Sequence, residues 1–226
     1  FQYCVNWIGK VKAMRVLIIN PNSDQETADV LSKTAQSFLE DRGEFDVVSM
    51  RTAPKLVVTY EDQAASAMEL IATVRAGRER YDAFILACHA DPNLDLVREV
   101  AGGKPVFGIA EASMRMAAML HGGYAVITPS EKIIPKKFAL ARKYHCEEEL
   151  RTVVVSGGNE KEHLLDAGRK ALQVPGVNAI VLGCANYSGL DSALELSVPV
   201  FDGLIWALIL AEGAVHNKEY QRKTLG

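Results

Sequence analysis

Two stretches of this chain carry the same succession of short apolar runs and amphipathic segments, with a cysteine at the same point in each. Moving 96 residues along carries Cys88 onto Cys184, Ala83 onto Ala179, Leu86 onto Leu182, Leu94 onto Leu190, Asp95 onto Asp191 and Glu99 onto Glu195. After a two-residue gap, Pro105-Val106-Phe107 falls on Pro199-Val200-Phe201. The beginnings of the halves correspond too: Val16-Leu17-Ile18-Ile19-Asn20-Pro21 matches Tyr124-Ala125-Val126-Ile127-Thr128-Pro129, each followed by a serine, Ser23 or Ser130. Self-similarity of this kind means that one structural unit is built twice.

The unit reads as alternating strand and helix. Residues 14–20 (MRVLIIN), 82–88 (DAFILAC), 124–128 (YAVIT) and 179–184 (AIVLGC) are continuous apolar runs, not alternating ones. Strands buried on both faces of a parallel sheet have that pattern. Further strands are expected over 45–50, 105–109, 151–155 and 199–201. Helical spacing appears over 24–40, 61–80, 94–100, 112–120, 130–144, 161–173, 190–196 and 204–216. Alternation of this kind predicts an α/β fold. The expected architecture is two pseudo-symmetric Rossmann-like (flavodoxin-like) lobes with parallel sheets, with the site in the cleft between them. The expected boundaries are a first lobe over 14–111, a second over 112–205, and a C-terminal helix over 206–226 that returns to the first lobe. Residues 1–13 are expected to be an extension ahead of Met14.

Composition excludes several classes. Hydrophobic residues make up 49% and charged residues 23%, with a net charge of −3. A mildly acidic chain without a basic block is not built for nucleic acid or anionic lipid. The longest apolar stretch, residues 204–210, is far shorter than the about 20 residues of a bilayer span. The four cysteines, Cys4, Cys88, Cys146 and Cys184, include no Cys-x-x-Cys. They are too sparse for a disulfide scaffold and wrongly spaced for structural zinc. Nothing resembles a signal peptide, so a reducing cytoplasm is the expected location.

Parallel sheets bind ligands beyond the carboxyl ends of their strands. Two facing lobes would bring Cys88 and Cys184 to opposite sides of one cleft. Alone, a strand cysteine is usually core filler; the repeated placement sets these two apart, whereas Cys4 and Cys146 lack it. A following helix start favours thiolate over thiol, so a value below the ordinary about 8.5 is expected. Two such groups can take a proton from one face of a carbon acid and return one to the other. Asn22 and Ser23, Thr128 and Ser130 lie on the two first-strand loops and can help backbone N–H groups stabilise the enolate. His89 either touches the ligand or is a loop histidine satisfied by backbone, and Ala185 and Asn186 follow the second cysteine into the same region. No metal site is expected from Cys88, His89 and Asp91, because adjacent strand side chains point to opposite faces. Glu111 either supports the site from behind or, the favoured reading, is a helix-start charge.

These residues are familiar together. Asn20-Pro21-Asn22-Ser23, Ala87-Cys88 with Asp91-Pro92, Gly108-Ile109-Ala110-Glu111-Ala112, Gly183-Cys184-Ala185, and Pro199-Val200 with Asp202-Gly203 resemble the aspartate/glutamate racemase superfamily. The likeness is strongest to its hydantoin racemase branch, which includes allantoin racemases. The resemblance implies a racemase that needs no cofactor, with Cys88 and Cys184 as its acid/base pair, a small-molecule substrate and a homo-oligomeric state. Where hydantoin racemases usually carry Phe-Gly-Asp after the first cysteine, this chain has His89-Ala90-Asp91; where they carry Ala-Gly-Met after the second, it has Ala185-Asn186-Tyr187. Amino-acid racemases carry Asn-Thr after the first cysteine, a pair absent here. A two-lobe ligand-binding module without chemistry, a racemase of another carbon acid such as an amino acid, and a redox switch through a Cys88–Cys184 disulfide are the competing readings.

Overall fold

The computed structural model describes residues 13–225, so Cys4 and the expected extension, its last residue apart, lie outside the described residues. The chain runs β1 (Met14–Asn20), α1 (Gln25–Leu39), β2 (Gly43–Ser49), α2 (Tyr60–Gly77), β3 (Ala83–Leu86), α3 (Leu94–Val100) and β4 (Val106–Gly108). It continues α4 (Ile109–His121), β5 (Tyr124–Thr128), α5 (Ile134–Lys143), β6 (Leu150–Val155), α6 (Lys161–Ala171), β7 (Ala179–Leu182), β8 (Val200–Phe201) and α7 (Gly203–Leu225). Two four-stranded sheets result, ordered β2-β1-β3-β4 and β6-β5-β7-β8. All their pairings are parallel. The second order repeats the first strand for strand, as the internal repeat predicts.

Each sheet is covered on both faces, which is why its central strands are apolar throughout. In the first lobe Val16, Ile18 and Ile85 meet Leu31 and Leu39 of α1 and Leu204 and Leu208 of α7. On the other face Leu17, Ile19 and Phe84 meet Leu70 and Val74 of α2 and Leu94 and Val97 of α3. In the second lobe α4 and α5 cover one face of the sheet and α6 the other. Helix α4 serves both lobes. Ile109 and Ala112 pack in the first core, Ala110, Met114 and Ala117 in the second. The boundary expected at residue 111 therefore falls inside one helix that ties the two sheets together.

One expected helix is absent. Residues 190–196 form only a single 3-10 turn, Asp191–Ala193. In the first lobe Gly102 and Gly103, both at positive φ, reverse the chain between α3 and β4. The second lobe is two residues shorter here and has no glycine between Leu190 and Pro199. The reversal therefore consumes residues that would otherwise extend the helix. In addition, Pro199 biases Val198 away from helical backbone.

Candidate active site

Both strand-end cysteines open onto one cavity of about 440 Å³ between the lobes. Strand β3 stops at Leu86, with the Ala87 N–H donating to Ile19 O at 2.8 Å, and Cys88 enters a turn closed by the Asp91 N–H donating to Cys88 O at 2.9 Å. Strand β7 stops at Leu182. The Gly183 N–H donates to Ile127 O at 2.7 Å, and Cys184 stands extended before a 3-10 turn over Ala185–Tyr187. A Cβ on Gly183 would lie 2.4 Å from Ile127 O, so this close approach of strands needs glycine. Both thiols are free and half-buried. Cys88 receives the Ala90 backbone N–H, and Cys184 those of Asn186 and Ala185.

The expected lowering of the thiol values is not what the site does. Burial pushes Cys88 up to about 11, opposed by the Ala90 N–H and the Lys137 charge. Burial raises Cys184 as well. The helix argument fails on distance: α3 begins only at Leu94 and spans seven residues, while Cys184 faces a single 3-10 turn. The macrodipole falls off within about one turn.

The charge in the cleft comes instead from Lys137, which the sequence reading did not single out. Its side chain is 1% exposed. Its Nζ donates to His89 Nδ1 at 2.9 Å, to His89 O, and to Gly183 O at 2.9 Å. On α5, Lys137 shares its buried face with Ala141 and Tyr144. A lysine at the i position of that i, i+4, i+7 stripe is the signal that would have found it. Burial lowers its value to about 8, against the pull of Cys88, Cys184 and Asp91.

His89 is 2% exposed and sits between protein groups. Its Nδ1 accepts from Lys137, so Nε2 carries the proton, 3.3 Å from Ser113 Oγ. Ser113 in turn donates to Ile109 O at 2.7 Å. Burial and the neighbouring ammonium hold the imidazole neutral, well below the usual histidine range. The ring borders the cavity, but both its nitrogens are taken.

Two buried carboxylates hold helix starts in matching ways. Asp91 accepts from the Ala110 N–H at 3.1 Å and the Glu111 N–H at 2.8 Å, at the start of α4. Asp202 accepts from the Leu204 N–H at 2.8 Å at the start of α7, and from the Gly189 N–H at 2.6 Å. Burial pushes each up to about 6. Glu111 pairs through its side chain with Arg98 and Arg115 on the outside.

The other expected residues divide. Asn22, Ser130, Ala185 and Asn186 line the cavity; Ser23 and Thr128 do not. Ser23 lies one residue before the cap of α1, which is Asp24. Thr128 is fully buried, and its Oγ1 finds no partner among the described residues. Asn22 is fixed by its Oδ1, which accepts from Asn20 Nδ2 at 2.7 Å and from the Asp24 N–H at 2.9 Å. Asn186 meets Thr27 Oγ1 at 2.7 Å across the cleft. Thr27, Asn159, Lys132, Lys136 and the apolar wall Leu56-Val57-Val58 also line it; the sequence reading passed over them. Lys136 donates to Val58 O and lies 4.6 Å from the Tyr60 ring centre, so it holds that wall in place. No carboxylate lines the cavity among the described residues.

The model of the Asp/Glu/hydantoin racemase family matches residues 16–211. The chain belongs to this family. The hydantoin racemase of Paenarthrobacter aurescens is 31% identical over 216 residues, covering 89% of this chain and 91% of that protein. The allantoin racemase of Klebsiella pneumoniae superposes with a TM-score of 0.85 at 28% identity, over 91% of this chain and 89% of that one. The allantoin racemase of Pseudomonas fluorescens shares the fold, with a TM-score of 0.82 at 22% identity over 91% of this chain and 92% of that one. Family membership agrees with the doubled sheet and its midline cleft. Among the described residues no helix is long and apolar enough to cross a membrane.

Proposed function

We propose that the protein is a racemase of 5-substituted hydantoins or of allantoin, and that Cys88 and Cys184 are its acid/base pair, with no cofactor. The observation that carries this reading is the placement of two free thiols, one at each β3/β7 strand end, on a single cavity of about 440 Å³. A five-membered ureido ring and its substituent fit a space of that order.

In this reading the ring lies between the thiols with its stereocentre toward both. The thiolate of one cysteine removes the proton alpha to the ring carbonyl, and the thiol of the other returns one to the opposite face. The negative charge that develops on the carbonyl oxygen is met by the Asn22 amide, which lines the cavity. The Nδ2 of Asn22 has no protein acceptor among the described residues. Donors preset for a developing oxyanion are worth about 3 kcal/mol each in other enzymes.

The test is hydrogen–deuterium exchange at the stereocentre, followed by NMR in heavy water, for single enantiomers of several 5-substituted hydantoins, allantoin, aspartate and glutamate. Enzyme-dependent exchange on the ureido rings, with racemisation lost in both Cys88→Ala and Cys184→Ala, supports the proposal. Exchange on the amino acids alone would sink the substrate assignment. Full activity in both variants would sink the two-thiol mechanism.

A further inference from the structure

We propose that Lys137 is the positioning residue that keeps a single proton on the cysteine pair: its buried ammonium supplies one fixed positive charge, tied to both sides of the cleft, that stabilises one thiolate on either side in turn. The inference rests on the acid/base role proposed above for Cys88 and Cys184.

The hydrogen-bond count favours the ammonium, because Ser113 gives its proton to Ile109 O and so leaves Nε2 of His89 as the donor and Nδ1 as the acceptor. Nζ faces three acceptors, His89 Nδ1, His89 O and Gly183 O. An ammonium has three protons to give, whereas a neutral amine has two and a lone pair. Deprotonation would leave one of three buried acceptors without a donor. The same count excludes direct ligand binding, since no proton remains to offer.

The attachment points are symmetric about the chemistry. His89 directly follows Cys88, and Gly183 directly precedes Cys184. One lysine thus bonds the backbone beside each thiol, drawing on the first lobe and the second at once. Substitution of either cysteine leaves these bonds in place.

A buried cation needs a counter-charge. The titratable groups that face Nζ are Cys88, His89 and Asp91 from the loop after β3, and Cys184 from the end of β7. Lys132 and Lys136, from its own segment, border the same cavity and add positive charge. His89 is neutral. Asp91 makes no bond to Lys137 and is held instead by Tyr144, Ala110 and Glu111. Of the three acidic groups, Cys88 and Cys184 act on the ammonium more strongly than Asp91 does, so a thiolate is its main partner. One thiolate balances one ammonium; a second thiolate would be an unpaired buried charge. During turnover the substrate proton moves to one sulfur while the other sulfur releases its own to carbon. The pair ends with the one proton it began with, and Lys137 keeps its three.

The test is the pH titration of thiolate ultraviolet absorbance in the whole protein, with site-resolved alkylation by iodoacetamide to assign each sulfur. The expected result is two separated steps for Cys88 and Cys184 in the unsubstituted protein. In Lys137→Met the first step should move up so that alkylation of both sulfurs at about pH 8 falls by about tenfold or more, one pKa unit or greater. Lys137→Arg should recover part of that loss. One combined step for both thiols in the unsubstituted protein would overturn the inference without any variant. So would an unchanged titration in folded Lys137→Met. If the titration shifts as expected but no ureido ring exchanges, the inference stands and the proposed substrate falls. If exchange persists at full rate in a Lys137→Met protein with unshifted thiols, the inference falls and the racemase reading stands.

Discussion

The Tyr144 hydroxyl donates to Asp91 Oδ2 at 2.6 Å, joining the end of α5 in one lobe to the loop after β3 in the other. Asp91 also holds the start of α4, so this contact braces the turn that carries Cys88. A hydrogen bond to a buried charged group is worth about 2 kcal/mol. Tyr144→Phe should lower the melting temperature by about 6 °C, at about 3 °C per kcal/mol for a chain of this size. The pH dependence is specific. Burial raises the Asp91 value in the folded state to about 6 from 3.8. The folded protein therefore binds this proton more tightly than the unfolded chain, and the contribution of Asp91 to stability falls as pH rises from about 4 to 6. Removing the Tyr144 donor raises the folded value further. The deficit of the variant should thus be larger at about pH 7.5 than at about pH 4.5. Equal deficits at the two pH values would rule out this role for the pair.

The close approach at Gly183 predicts opposite outcomes for two Gly→Ala substitutions. In Gly183→Ala the new methyl would meet the Ile127 carbonyl at 2.4 Å. Backbone cannot rotate away as a side chain can, so β5 and β7 must part. Overpacking of this kind costs about 1–3 kcal/mol, and here it displaces Cys184. Gly213, within α7, has open space around a built Cβ. Alanine there should stabilise the protein by about 0.5–1 kcal/mol through the helix propensity of alanine. Urea unfolding midpoints of the two variants test the pair of signs; a stable, fully active Gly183→Ala protein would contradict the packing at the strand end.

Exposure separates the described cysteines. Cys146 is 3% exposed, with its sulfur 3.3 Å from the Tyr124 hydroxyl. Cys88 and Cys184 are half-buried on the cavity. Alkylation of the native protein, read peptide by peptide by mass spectrometry, should label Cys88 and Cys184 and spare Cys146 until urea unfolds the chain. One equivalent of label should be taken up near neutrality, on the thiolate that Lys137 holds, and the second only as pH rises, because burial raises both cleft thiols. Labelling of native Cys146 at the rate of the other two would show that the second core opens.

Much of the fold was legible because the central strands of a parallel sheet cannot hide. The runs 14–20 and 124–128 coincide with β1 and β5 residue for residue. They are apolar on both faces and stop at Pro21 and Pro129. The cysteine pair was legible through the repeat. Residues 190–196 misled because their local spacing is helical, whereas the room to turn back before Pro199 is a property of the whole lobe. The thiol environment was misjudged because a helix start six residues on exerts little field on Cys88, while burial, invisible in sequence, acts in the opposite direction. Lys137 was passed over because lysine is seldom buried. Only its position in line with Ala141 and Tyr144 on the buried face of α5 marks it out.

His89 supplies a stability prediction with a definite sign. Burial and the Lys137 ammonium keep its imidazole neutral, well below the usual histidine range. The unfolded chain therefore takes up a proton as pH drops below about 6.5 while the folded protein does not, and stability is lost on the acid side. At about pH 5 that loss is at most about 2 kcal/mol, from about 1.4 kcal/mol per unit. His89→Gln removes the titration and retains an amide oxygen for Lys137 and an amide N–H for Ser113. The unsubstituted protein should be the more stable near neutrality, because the planar ring fits both partners. Its advantage should shrink at about pH 5, by at most about 2 kcal/mol. Denaturant midpoints of the two proteins at both pH values give the comparison, and subtracting one from the other cancels the acid-range contributions of Asp91 and Asp202. A difference that stays constant with pH would mean that His89 takes up its proton in the fold as readily as in the unfolded chain, and the ammonium of Lys137 could not then be its partner.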